Sequence, residues 1–200
     1  VKHLRAMGYE RVLLIGNSGG AALSSFYQAQ AERLTATHFP DGDPTHLHPD
    51  DLPPVDGISL CAAHQGRSKL MRDWIDPSVT DEHDPLSVDP ELDMYDRRHA
   101  VPYSNEFLAR FSAAQQARLE RIERWALERL RQLRSTAGAP RDQAFIVYRT
   151  HADPRCVDLS IDTNDRAPGS VWGDARQVNY SANAMGRTTS LTAFLSQWSS

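Results

Sequence analysis

The sequence predicts an α/β chain whose second half is mainly helical. Two short apolar runs, Val12–Ile15 and Val55–His64, read as strands, and each is bounded by turn-forming residues. A helix-compatible run, Ala21 to Ala31, follows the first within a few residues. Strand, turn, helix and strand in that order indicate parallel pairing with a helical crossover. Beyond His64 the composition turns polar and carries a long helical periodicity.

The first strand runs directly into Gly16-Asn17-Ser18-Gly19-Gly20. This reads G-x-S-x-G, with a serine at the tip of a tight turn between strand and helix. A serine that must project its hydroxyl above a sheet edge sits in a strained turn with positive φ. Glycine two positions before and after it, at Gly16 and Gly20, is expected to remove side chains that would collide with the neighbouring strand and helix. The Gly19 N–H, at the start of the helix, is free to stabilise an oxyanion. A Gly-rich turn here can also cradle phosphate, but neither G-x-x-x-x-G-K-[ST] nor G-x-G-x-x-G is present.

Residues 36–54 form a loop carrying Pro40, Pro44, Pro49, Pro53 and Pro54, which disfavours regular structure. Asp76-Pro, Asp84-Pro and Asp89-Pro mark turns or helix starts. The strongest helix spans about Ser104 to Ser135, with Ser104 as N-cap and Glu106 in the first turn. Phe107, Phe111, Ala114, Leu119, Ile122, Ala126, Leu130 and Leu133 lay down one apolar stripe. Arg118, Arg121, Arg124, Arg129, Arg131 and Arg134 interleave with Glu120, Glu123 and Glu128. They read as a solvated face rather than a nucleic-acid surface. Ala144–Tyr148 is strand-like and Phe194 to Ser200 reads as helix.

The segment from Lys2 through Ala21 resembles the region around the nucleophile of an α/β-hydrolase, and Val55–His64 resembles the next strand of that sheet. Residues 65–200 resemble, more loosely, the cap that some bacterial members insert after this strand. The expected organisation is a partial α/β-hydrolase core over residues 1–64 and a mainly helical cap over 65–200. The resemblance implies hydrolysis of an ester or related carbonyl substrate, with Ser18 as nucleophile and Gly19 as one oxyanion donor. Gly16, Asn17 and Gly20 complete the elbow. The family's chain order is Ser, then Asp or Glu, then His, and no such acid and histidine follow Ser18 in the family's arrangement. The chain is therefore expected to be an internal fragment that holds the nucleophile and lid, with the base outside it. Trp74, Trp125, Trp172 and Trp198 in the cap suggest an apolar acyl or alcohol group on a small-molecule substrate.

His64 ends the second strand, on the same sheet edge as Ser18 if the strands are parallel, and is a candidate to line the pocket. His151 and Asp153 lie on one strand at i, i+2 and do not face each other. Thr45-His46-Leu47-His48-Pro49-Asp50 resembles a metallo-β-lactamase-type zinc signature, so a zinc hydrolase using His46, His48 and Asp50 is an alternative. Its setting among prolines without a preceding strand favours an ordinary loop. A non-catalytic binding protein on a hydrolase fold is a further alternative. Neither metal nor cofactor is expected for the preferred reading.

The chain has 200 residues, 40% hydrophobic and 24% charged, long enough for a core. A net charge of −4 argues against a general nucleic-acid binder. No apolar run is long enough to span a membrane. Cys61 and Cys156 make no disulfide framework, so a cytoplasmic location is expected, with Cys61 a buried small hydrophobe.

Overall fold

The computed structural model describes residues 1–94, 96, 98, 99, 103–152 and 186–198. The chain is mixed α/β and divides into two units, Val1–Leu70 and Met71–Ser200. The sequence boundary expected after His64 precedes this division, which falls within a helix.

In the first unit, α1 (Lys2–Ala6) leads to β1 (Leu13–Asn17), α2 (Gly19–Glu32), a 3-10 turn (Pro49–Asp51) and β2 (Gly57–Cys61). β1 and β2 pair in parallel, in register from Leu13 opposite Gly57 to Asn17 opposite Cys61. Asp56 holds the entrance to both strands. Its Oδ2 accepts from the Val12 N–H and from the Arg5 guanidinium, each at 2.7 Å, and its own N–H donates to the Val12 carbonyl at 3.0 Å. The guanidinium also bonds the Glu10 carbonyl. These fixed donors hold the Asp56 carboxyl below the usual aspartate range, the Val12 N–H foremost.

The proline-rich loop is not featureless. His38 bridges Pro44, the Tyr27 hydroxyl donates to the Pro53 carbonyl at 2.7 Å, and the Val55 N–H donates to Gln28 Oε1 at 3.0 Å. Side chains on α2 thus deliver the chain to β2. One face of the two-stranded sheet carries Leu13 and Ile15, 67% and 77% exposed. Cys61 shares this face by register and is exposed, contrary to the expected burial. β2 also stops short of His64, because Ala62 takes a positive φ of 47° and leaves the extended region.

The helix α3 (Arg67–Trp74) crosses the division, and the second unit continues with the antiparallel pair β3 (Val79–Asp81) and β4 (Asp84–Val88). Asp84-Pro therefore leads out of the β3–β4 turn directly into β4, in keeping with the turn alternative. The long helix α4 (Asn105–Ser135) follows, then β5 (Ala144–Val147), β6 (Arg187–Ser190) and α5 (Leu191–Gln197), with β5 and β6 antiparallel. Ser104 caps α4 by accepting from the Phe107 N–H at 3.1 Å, and Ser190 caps α5 by accepting from the Ala193 N–H at 3.3 Å. Leu119, Ile122, Ala126 and Leu130 of α4 build one core with Ile75, Val147 and Phe194, and Phe107 and Phe111 build a second with Met94 and Tyr103.

Arg118 departs from the expected solvated face. It is 1% exposed and bidentate on Glu82, with Nε to Oε1 at 2.8 Å and an Nη to Oε2 at 2.7 Å. It also donates to the carbonyls of Asp76 and Tyr148. Arg121 joins the same carboxylate at 2.8 Å. The two arginines, three apart on α4, grip the β3–β4 turn instead of pairing with the helix's own glutamates. Among the described residues, no helix is long and apolar enough to cross a membrane.

Candidate functional site

Ser18 stands between β1 and α2 with φ 54° and ψ −117°. L side chains rarely adopt this geometry, and it marks a functional hypothesis rather than an ordinary turn. The local chain explains how it is held. The Ser18 N–H extends the sheet by donating to the Cys61 carbonyl at 2.9 Å, and the Ser18 carbonyl accepts from the Ala21 N–H at 3.1 Å. The backbone is thus tied on both sides, while the side chain makes no capping bond to α2 and the residue is exposed.

Gly16 lies under this turn. A Cβ there would stand 2.5 Å from the Ala21 Cα and 2.5 Å from the Gly20 carbonyl oxygen, so only glycine allows α2 to start so close to β1. Gly20 differs from the sequence expectation, since nothing lies within 4 Å of a Cβ built on it. Its absence of a side chain is not a packing requirement. Asn17 is the last, exposed residue of β1. Gly19 opens α2, and its N–H has no hydrogen-bond acceptor among the described residues. That donor sits at the positive end of a helix of 14 residues, where negative charge is favoured.

His64 reaches the same edge. Ala62, the residue after β2, is left-handed like Ser18, the residue after β1, so both strands end in strained turns side by side. Beyond that turn, His64 Nε2 lies 3.3 Å from the position a Cβ on Gly19 would occupy. Its Nδ1 accepts from the Gly66 N–H at 3.1 Å, and Gly66 holds a φ of +108°. Ser18, Gly19 and His64 therefore gather at the carboxyl ends of two parallel strands, where open α/β sheets bind ligands.

The remaining candidates are not part of this edge. His46, His48 and Asp50 are all exposed. Asp51 turns back on the His48 N–H and pairs with Lys2 at 3.0 Å. Among the described residues, no group of three His, Cys, Asp or Glu side chains is placed to hold a metal ion. His151 is buried in the second unit against Trp74, with ring centroids 5.1 Å apart, while Asp153, Cys156 and Trp172 lie outside the described residues.

The second unit has its own cleft of about 620 Å³, walled by Trp125, Phe145, Ile146 and Tyr148 with His83 and Arg121 at its polar side. Among the described tryptophans, Trp125 alone lines it; Trp198 sits instead under the Arg187 guanidinium, 5.1 Å from its ring centre. Sequence reasoning missed this cleft. The one available signal was the strand-like Ala144–Tyr148, which carries no sign of the hairpin that lies across from it. Comparison with known proteins yields no match to a family model, a curated protein or a solved structure.

Proposed function

We propose that the chain is the nucleophile-bearing part of a serine hydrolase of α/β-hydrolase type, acting on an ester or related carbonyl compound. The observation that carries this reading is Ser18 itself. It is an exposed serine at φ 54° and ψ −117°, clamped between a parallel strand and a helix N-terminus over a glycine that has no room for a Cβ. Strain of this kind costs on the order of 1–3 kcal/mol and persists where it serves a purpose. The exposed Leu13/Ile15 face adds support, because parallel strands are ordinarily covered on both faces, as in a larger α/β sheet.

In this reading Ser18 Oγ forms a bond to the carbonyl carbon while the C=O π pair moves onto oxygen. The serine proton passes to an imidazole base, which the family resemblance assigns to a histidine later in the protein. The Gly19 N–H receives the oxyanion. Collapse of the tetrahedral intermediate re-forms the carbonyl and expels the alcohol, which takes the proton from the imidazolium. Water then releases the acyl group from Ser18 by the same route. A fluorophosphonate probe tests the proposal on the protein in the form the cell makes. Covalent labelling at Ser18, abolished in Ser18→Ala, is expected. A protein that folds but shows no Ser18-dependent labelling is a non-catalytic binder, and the proposal fails.

A further inference from the structure

We propose that His64 is a second oxyanion donor, acting through its Nε2–H, and not the general base for Ser18. The inference rests on the reading of Ser18 as nucleophile and adds a role for a residue that the resemblance leaves without one.

The first observation is the hydrogen bond at the far side of the ring. The Gly66 N–H donates to Nδ1 at 3.1 Å, and the left-handed Gly66 turn holds that donor in place. A neutral imidazole has one N–H and one acceptor nitrogen. With Nδ1 accepting, the proton resides on Nε2. A nitrogen that already carries its proton donates a hydrogen bond and has no lone pair with which to take a proton from Ser18 Oγ.

The second observation is where that donor lies. Nε2 is 3.3 Å from the Cβ position of Gly19, the residue next to Ser18. The Gly19 N–H has no acceptor among the described residues. The sheet register brings the two donors together, since Asn17 pairs with Cys61 and the Ser18 N–H bonds the Cys61 carbonyl. One N–H thus belongs to the residue after the nucleophile and the other lies against that same residue, and an oxyanion is stabilised by such a pair of donors. It also gives Gly19 a steric reason, because any side chain there would press on the imidazole.

When Ser18 Oγ bonds to the carbonyl carbon, the π pair moves to the carbonyl oxygen, and that oxygen accepts from both Gly19 N–H and His64 Nε2–H. The serine proton goes to a separate imidazole base, so His64 is neither protonated nor deprotonated in the step.

Two substitutions separate the roles. The amide nitrogen of His64→Gln stands near the Nε2 position and restores a donor. The amide oxygen of His64→Asn stands near Nδ1 and restores only the acceptor for Gly66. The measurement is the second-order rate of fluorophosphonate labelling at Ser18, on variants whose near-UV circular dichroism matches the parent. His64→Ala and His64→Asn are expected to slow labelling roughly 100-fold, the effect of losing one oxyanion donor, while His64→Gln stays within about 10-fold of the unsubstituted protein. Equal loss in Gln and Ala variants overturns the proposal in favour of a base. Retention in Asn with loss in Gln overturns it in favour of a turn-stabilising residue, and no change in any variant overturns it outright. A two-bond 1H–15N spectrum reads the tautomer directly, and a proton found on Nδ1 rather than Nε2 sinks the proposal whatever the rates. Absent labelling of the unsubstituted protein is the separate failure of the Ser18 reading, and the inference falls with it.

Discussion

At the scale of single residues, Ser18 sets stability against chemistry. Its φ of 54° is strained for a serine and unremarkable for a glycine. Ser18→Gly is expected to raise the unfolding free energy by about 1 kcal/mol, the relieved strain less glycine's larger unfolded-state entropy, while Ser18→Ala keeps the strain and gains nothing. Urea unfolding of both variants checks this, and a Gly variant no more stable than the Ala variant contradicts it. The strand, tight turn and helix around Ser18 and the close approach at Gly16 were legible in the sequence, because glycines and a serine between an apolar run and a helix admit few backbone geometries; the open space at Gly20 was not. His64 was legible only as a residue at the strand's end. Its tautomer depends on the Gly66 N–H two residues on, and no spacing rule reports where a turn aims a donor.

At the scale of elements, the arginines of α4 teach the limit of periodicity. The apolar stripe was readable, since Phe107 through Leu133 recur at helical intervals and the buried face follows them closely. Gln115 and Arg118 also lie on the buried face, and nothing in the helix's own sequence says so. Their partners come from far along the chain: the carbonyls of Asp73 and Ile75 for Gln115, and Glu82 for Arg118. A guanidinium 1% exposed cannot lose its carboxylate cheaply. Glu82→Ala is expected to destabilise the second unit by about 3 kcal/mol, through the uncompensated buried charge. Far-UV circular dichroism in urea reads the loss. A second substitution, Arg118→Met in the Glu82→Ala background, is expected to recover much of it, because the charge then goes with its partner. The same long-range dependence hid β3, β4 and β6, whose short segments acquire strand geometry only from the pairing partner.

At the scale of the whole chain, acid should act through carboxylates whose folded form prefers to stay charged. Asp56 is held low chiefly by the Val12 N–H, Asp51 chiefly by Lys2, and Asp96 is pulled down to about 2 by Arg98. A folded value below the unfolded one means that the folded state binds fewer protons. This stability is therefore complete above the ordinary aspartate value of about 3.9 and is lost as pH falls through it toward the folded value. Asp76 runs the other way. Burial raises it despite Arg149 at 2.8 Å, so its contribution is present in acid and lost as pH rises through its folded value. The prediction concerns the first unit, which holds the lowered Asp51 and Asp56: backbone amide signals of β1 should lose urea resistance between pH 6 and pH 3, and Asp56→Asn should shrink that difference. An unchanged pH response in Asp56→Asn contradicts it. The division of the chain at Leu70 has one more consequence, for anyone who follows it by fluorescence. All four tryptophans, Trp74, Trp125, Trp172 and Trp198, fall in Met71–Ser200, and the first unit has only Tyr9 and Tyr27. Indole emission therefore reports on the second unit, and a melting curve recorded that way carries no indole from the segment that bears Ser18.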